Sequence, residues 1–536
     1  MTDSSKKIRV RFAPSPTGYL HIGGLRTALY NYLFAKQKGG DFLLRIEDTD
    51  QKRFVEGAVE NLINALAQMG LTWDEGVQIN DQKSITNNQQ TQNSTTYNGV
   101  IEIGDCGPYV QSERLELYKK YAEQLVATGK AYYCFCEPAR LEKMREKQQT
   151  EKLPPMYDRY CLTELTPEEI NEKLKNNCPV TIRLKVPKDE VVEFEDLVRG
   201  KVSFATSTID DQVLLKSDGF PTYHLANVVD DHLMGITTVI RGEEWLPSTP
   251  KHILLYRAFD WEIPAFAHIP LLLNPDKSKL SKRQGDVAVE DYLQKGYLKE
   301  ALLNFVALLG WNPGEGSVQE IFSLDELVEK FDLKKVHKAG AVFDLKKLDW
   351  LNAQYLKKLS IEELFEKAQP FFEQKEFYKE WNAKHTCLSG LPVRQAGRQA
   401  AWSNEDKKEY MKKVLTIEQD RLANFSQVGE ENKFFFEEIT YEKSLLFWKE
   451  MTDEQLRTSL QKLYSVLSEI NQETWTRQAL EAKLVVASGD NKGQLLWPLR
   501  ACLTGAQKSP SPFDCAWVLG KEESLKRIEK ALDLIG

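Results

Sequence analysis

Two prolines, three glycines and a histidine fall within the twelve residues APSPTGYLHIGG, Ala13–Gly24. That composition is too turn-rich for the interior of a helix or strand. The chemistry open to such a stretch is anion binding, because small residues at a helix start let a phosphate reach the unpaired N–H groups of the first turn. His21 would stand at the mouth of that turn. Neither GxGxxG nor GxxxxGK[ST] occurs there, so taken alone the stretch either holds an anion or simply turns the chain. A second grouping is basic: Lys334, Lys335, His337, Lys338, Lys346, Lys347, Lys357 and Lys358, interleaved with Phe343, Trp350 and Tyr355. It reads as a solvated helical surface or as a face that tracks a phosphate backbone.

The flanks of the turn-rich stretch show what must position it. In KIRVRF, Ile8, Val10 and Phe12 alternate with Lys7, Arg9 and Arg11, the period of a half-buried strand. In GLRTALYNYLFAKQ, Leu25, Ala28, Leu29, Tyr32 and Leu33 recur at helical spacing. DFLLRIED and FVEGAVENLINALAQMG repeat the pair, so the chain opens β-α-β-α. Such alternation predicts a parallel sheet with ligands at the carboxyl ends of its strands, where Arg11 and Glu47 fall. Residues 76–107, centred on NNQQTQNSTT, read as a loose polar excursion. Residues 113–217 mix helices such as ERLELYKKYAEQLVATG with the β-rich pieces VTIRLKV and KVSFATSTI, as an inserted α/β domain would. FPTYHLANVVDDHLMGITTVIRGEEW reads as buried strand and loop, STPKHILLYRAF as a helix, and the chain beyond LLLNPDKSKLSKRQGD as largely helical.

At 536 residues the chain needs three or four domains. No apolar run reaches the roughly 18 residues of a membrane helix and nothing near the N-terminus resembles a signal peptide, so a cytoplasmic protein with no membrane partner is expected. Eight cysteines in a chain of this size fit reduced thiols or a metal site better than a disulfide framework. A formal charge of -8 argues mildly against nucleic acid, although distribution outweighs the sum.

Two distant motifs, HIGG at His21–Gly24 and KLSKR at Lys279–Arg283, together resemble the HIGH and KMSKS signatures of class I aminoacyl-tRNA synthetases. The stretches RFAPSPTGYLHIGGLRTALYNYLFA, LLRIEDTD, GPYVQSERLELY, DGFPTYHLANVVDDHLMGITTVIRGEEW and KLDWLNAQYL are similar to the bacterial-type glutamyl-tRNA synthetases. The likeness runs through most of residues 7–355 and reappears in LLWPLRACLTGAQKSPSPFDCAWVLGKEESLKRI. It implies a multidomain α/β plus α protein whose Rossmann-like parallel-sheet catalytic domain is split between residues 1–112 and 218–270. An inserted acceptor-stem-binding domain takes residues 113–217 and a stem-contact domain residues 271–355. Two helical anticodon-binding domains follow, at residues 356–435 and 436–536.

The implied activity is a glutamate–tRNA ligase that forms glutamyl adenylate from L-glutamate and ATP, then transfers glutamate to the 3′ end of tRNA(Glu). Attack on the α-phosphate builds negative charge on phosphorus and departing pyrophosphate, and fixed donors there are the main catalytic resource. The resemblance gives that role to His21, Lys279 and Lys282, with Mg²⁺ sharing it, and ATP contacts to Gly18, Gly23, Gly24, Glu244, Leu280, Ser281 and Arg283. Gly24 stands where the signature has its second histidine, so no second histidine is carried over. A side-chain carboxylate calls for guanidinium partners, and Arg11 and Arg241 fit, joined by Tyr223. By the same resemblance Ser15 and Glu47 hold the α-ammonium, with Asn227 nearby. Cys134, Cys136, Tyr157 and Cys161 match the CxC and YxxxC zinc pattern of some members. Three thiolates suit one structural zinc, while buried free thiols are also common. His224, His232 and the VVDDH carboxylates are read as structural. A glutaminyl relative is disfavoured by Arg241 in VIRGEEW and by the helical C-terminal half. A truncated tRNA-modifying relative would lack that half, and a non-catalytic tRNA-binding protein would break the motifs. As in most members, a monomer is expected.

Overall fold

The structure, a computed structural model, describes residues 6–80, 91–92, 97, 99–280, 288–314, 316, 318–385 and 402–536. It divides into two compact units, residues 1–294 with 299–348 and residues 295–298 with 349–536.

In the first unit, strand β1 (Arg9–Phe12), helix α1 (Ile22–Gln37), strand β2 (Asp41–Leu44), helix α2 (Ala58–Gln68) and strand β3 (Glu75–Ile79) follow the expected alternation. β1 pairs parallel with β2, and β2 with β3. Leu25, Ala28, Leu29 and Leu33 of α1 are buried, the apolar stripe that the helical spacing predicts. The helix starts earlier than its apolar period, at Ile22, so both glycines of HIGG lie in its first turn.

Residues 76–107 differ from the sequence expectation at both ends and at Thr91–Gln92. Short strands β4 (Thr91–Gln92) and β5 (Val100–Ile103) extend the sheet in the order β1-β2-β3-β5-β4, with β3 and β5 antiparallel. The apolar pieces GVQI and VIEI flank the polar centre, and overall polarity hid them.

Helix α3 (Leu115–Ala127) and strands β6 (Ala131–Cys134) and β7 (Thr181–Leu184) begin the next segment. Strands β8 (Val191–Asp196), β9 (Gly200–Ala205) and β10 (Val213–Leu215) complete it. β10-β7-β6 form one antiparallel sheet. β8 and β9 instead join β11 (Thr238–Gly242) and β12 (Ala265–Ile269) in the order β11-β12-β8-β9, so residues 191–205 share hydrogen bonds with strands beyond residue 217. Tyr223–Leu233, read from sequence as strand and loop, is an α-helix. Its residues Leu225–Asp231 are all buried, and its polar stripe of Asn227, Asp230 and Asp231 is turned inward onto Arg11, Arg45 and Arg114 rather than toward solvent, so it does not read as the outer face of a helix.

The second unit is helical, with no strand among its described residues. Ser360 with Glu363, Ser403 with Asp406 and Thr452 with Gln455 form capping boxes that set its helix starts. Phe372, Tyr378, Trp381, Tyr410 and Phe436 fill one core by ring packing.

Candidate active site

The loop after β1 and the start of α1 open onto a cavity of about 1040 Å³. Its lining brings together Arg11, Ser15, Gly18, His21, Gly23 and Gly24 from that junction, and Glu47 from beyond β2. Tyr223, Arg241 and Glu244 join them from the second half of the chain, with Lys279 and Leu280. Ser281, Lys282 and Arg283 lie outside the described residues. Asn227, expected beside the α-ammonium, does not line the cavity. Its side chain is buried behind Arg11, accepting from Arg11 Nη2 at 3.0 Å.

One end of the cavity is built from backbone. His21 is the N-cap of α1, with Nδ1 accepting from the N–H of Gly24 at 3.1 Å. That bond leaves Nε2 to carry the hydrogen of the neutral ring. Gly18 has φ 142°, a conformation that a side chain would strain. His21 and Lys279 are both exposed.

The other end is built from buried charge. Arg11 Nε donates to Asp231 Oδ1 at 2.9 Å, and Arg45 Nη1 donates to the same oxygen at 2.8 Å. Arg45 Nη2 donates to Glu47 Oε1 at 2.9 Å. Burial pushes the Asp231 carboxyl up, but Arg11 and Arg45 outweigh it and hold the group below its ordinary value. For Glu47 burial wins, and its carboxyl is raised despite Arg45 and Arg11. Asp230 takes Arg114 Nε at 2.8 Å and the Tyr118 hydroxyl at 2.9 Å. The VVDDH carboxylates therefore anchor arginines.

Arg241 is held differently. Nε donates to His268 Nε2 at 3.1 Å, Nη2 to Thr249 Oγ1 at 3.0 Å and Nη1 to the Tyr223 hydroxyl at 3.1 Å. His252 Nδ1 lies 3.2 Å from Nη1. Burial lowers the pKa of His252 and of His268, so both rings are neutral beside the guanidinium. Trp245, not singled out from sequence, lies with its ring centroid 4.2 Å from that of Tyr223 and lines the same wall. Its place in VIRGEEW, three residues past the strand that carries Arg241, was the available signal. His224, read as structural, faces His252 at 3.0 Å, and His232 stacks on Trp261.

A separate cluster sits at the end of β6. The sulfurs of Cys134, Cys136 and Cys161 lie within 4.8 Å of one another, the one such ligand group among the described residues. The Tyr157 hydroxyl is 3.5 Å from Cys134 and 3.2 Å from Cys136. A hydrogen bond from Cys161, helped by Tyr157, brings the Cys134 thiol down to about 4 despite burial. Arg140 donates to Cys136 Sγ at 3.4 Å. The same bond raises the Cys161 thiol, so the pair favours one thiolate, on Cys134, the form that ligates zinc. In the basic stretch Lys334, Lys335, Lys338 and Lys346 are exposed, but Phe343 is core, packed edge-on against Phe305, and offers no stacking face.

Residues 7–350 match the family described as tRNA synthetases class I (E and Q), catalytic domain, and residues 363–532 match an anticodon binding domain. Among curated relatives, the glutamate–tRNA ligase of Chloroherpeton thalassium is 48% identical over 99% of this chain and 98% of its own length. That of Chlorobaculum parvum is 46% identical over 99% of each. A crystal structure of a glutamate tRNA ligase from Elizabethkingia meningosepticum, in complex with its amino acid, superposes with a TM-score of 0.82. It is 35% identical and covers 99% of this chain and 100% of its own.

Proposed function

Because the chain belongs to the class I tRNA synthetases of the glutamate and glutamine type and is a glutamate–tRNA ligase, we propose that the cavity holds glutamate at its buried end and ATP at its open end. The observation that carries this reading is the pair of buried guanidiniums, Arg11 and Arg241, lining the same cavity as the start of α1. Arg241, Arg11 and the Tyr223 hydroxyl receive the side-chain carboxylate, and Glu47 with Ser15 receives the α-ammonium. Asn227 serves this set by holding Arg11 in place.

The ATP phosphates lie against the first turn of α1, where Gly23 has no side chain to shield its N–H and His21, whose Nδ1 holds the Gly24 N–H, donates from its exposed edge. An oxygen of the glutamate α-carboxylate attacks the α-phosphorus, and the bond to pyrophosphate breaks. Lys279 and Lys282 neutralise the charge that gathers on the leaving group. Mg²⁺ brought with ATP supplies further positive charge there. Glutamate then passes to the 3′ end of tRNA(Glu), releasing AMP, while the helical second unit engages the anticodon end of the same tRNA. The chain works as a monomer on this reading. Cys134, Cys136 and Cys161, with Tyr157 or water as fourth ligand, hold one structural zinc that braces residues 131–161.

ATP–pyrophosphate exchange with glutamate or glutamine, with and without tRNA, tests the assignment. Exchange that requires glutamate is the expected result, and equal exchange with glutamine would remove the carboxylate role from Arg11 and Arg241.

A further inference from the structure

Unlike Arg11, which is paired with Asp231, Arg241 has hydrogen-bond partners, Tyr223, Thr249, His252 and His268, that are all neutral. Its nearest support runs sideways through the sheet. Arg241 on β11 and His268 on β12 are register partners, and Asp196 on β8 stands beside β12. His268 Nδ1 lies 2.6 Å from Asp196 Oδ2, both side chains fully buried. Asp196 Oδ1 accepts from the N–H groups of Val198 at 3.0 Å and Arg199 at 2.8 Å.

These contacts fix a direction. The backbone donors and His268 hold the Asp196 carboxyl below its ordinary value against the opposing effect of burial, so it is a pure acceptor. The hydrogen of His268 must then sit on Nδ1, which leaves Nε2 as the lone pair facing Arg241 Nε–H. Resting on the reading of Arg241 as a partner of the substrate carboxylate, we propose that Asp196, acting through the tautomer of His268, positions Arg241 and serves as its remote counter-charge. A direct carboxylate partner would compete with the substrate for the guanidinium. A carboxylate set one imidazole away steadies the cation and leaves its outer edge for glutamate, which favours a charged side chain over the neutral amide of glutamine. Asp196 comes from the hairpin within residues 113–217, so a segment assigned to acceptor-stem binding also contributes to amino-acid choice.

The test is aminoacylation kinetics of the full-length enzyme. Asp196→Asn offers an amide donor to Nδ1 and drives the hydrogen onto Nε2, where it opposes the Arg241 donor. KM for glutamate should rise about tenfold or more, the cost of one charged hydrogen bond, with KM for ATP held within about twofold. Selectivity for glutamate over glutamine should fall with it. Adding His268→Gln to that variant places an amide oxygen near the former Nε2 position irrespective of tautomer, and should recover most of the glutamate KM. An unchanged glutamate KM in Asp196→Asn overturns the proposal, as does a rise in both KM values that His268→Gln fails to relieve. If Asp196→Asn does not fold, His268→Gln and His268→Asn decide, because only glutamine keeps an acceptor toward Arg241, and equal glutamate KM values contradict the relay. Arg241→Ala separates the two claims. A raised glutamate KM there with no effect of Asp196→Asn removes the relay alone, whereas no effect of Arg241→Ala removes the carboxylate role itself.

Discussion

The two ends of the cavity are made of different materials. At the buried end Arg11, Glu47 and Arg241 are 3%, 6% and 5% exposed, and each is tied to side chains that are themselves buried. At the open end the exposed His21 caps a helix whose first turn, Ile22 to Gly24, lines the cavity together with the exposed Lys279. Groups locked in place before substrate arrives set ground-state affinity and selectivity, whereas donors that meet charge only as it develops set the rate. The contrast predicts a division of kinetic labour: substitutions at the buried end should act on glutamate KM and on folding, and those at the open end on kcat.

The largest effect expected is on folding. Asp231→Ala would leave Arg11 and Arg45 without the carboxylate they share, and removing one partner of a buried pair costs about 3–5 kcal/mol. A lower melting temperature with loss of glutamate binding is the expected result, and an unaltered melt would mean that the buried end does not depend on this carboxylate. The acid limb carries a further sign. Asp231 is held below its unfolded value, so its stabilisation is present above about pH 3.9 and is lost as pH falls through the depressed folded value. Loss of that group should flatten the acid limb of the stability profile.

Lys282→Ala should lower kcat for exchange about a hundredfold to a thousandfold, the usual cost of one donor to developing charge, with glutamate KM moving less than about threefold. A kcat within about threefold of wild type would break the division between the two ends. The smallest effect at the cavity should come from zinc. Elemental analysis is expected to find about one zinc per chain. Chelation should loosen the β6 region, read as lost protection from hydrogen exchange, while exchange kinetics with glutamate shift by less than about twofold. No metal in protein prepared without chelator would contradict the zinc assignment.

The open end was largely legible in the sequence, because His21, Gly18, Gly23 and Gly24 sit within one short stretch whose flanks have clear strand and helix periods. The buried end was legible only in part. Arg11 and Arg241 could be named by resemblance, as could Tyr223 and Asn227, but the supporting contacts of Asp231, His252 and His268 could not. Asp231 and Asn227 lie on a helix whose polar stripe faces inward onto arginines, where it does not read as a solvent face. His268 and Asp196 are 72 positions apart and meet only because β12 pairs with both β11 and β8. Local pattern carries no signal for a contact made by sheet order. The helical second unit shows the converse case, its helix starts being marked by capping residues three positions apart.

Glutamate KM and kcat for Arg241→Ala, measured by exchange at saturating ATP and tRNA, test the central claim most directly. The account predicts a loss of about 1.5–3 kcal/mol, roughly a tenfold to hundredfold rise in glutamate KM, with ATP KM nearly unchanged. An unaltered glutamate KM, or a loss confined to kcat, would contradict it.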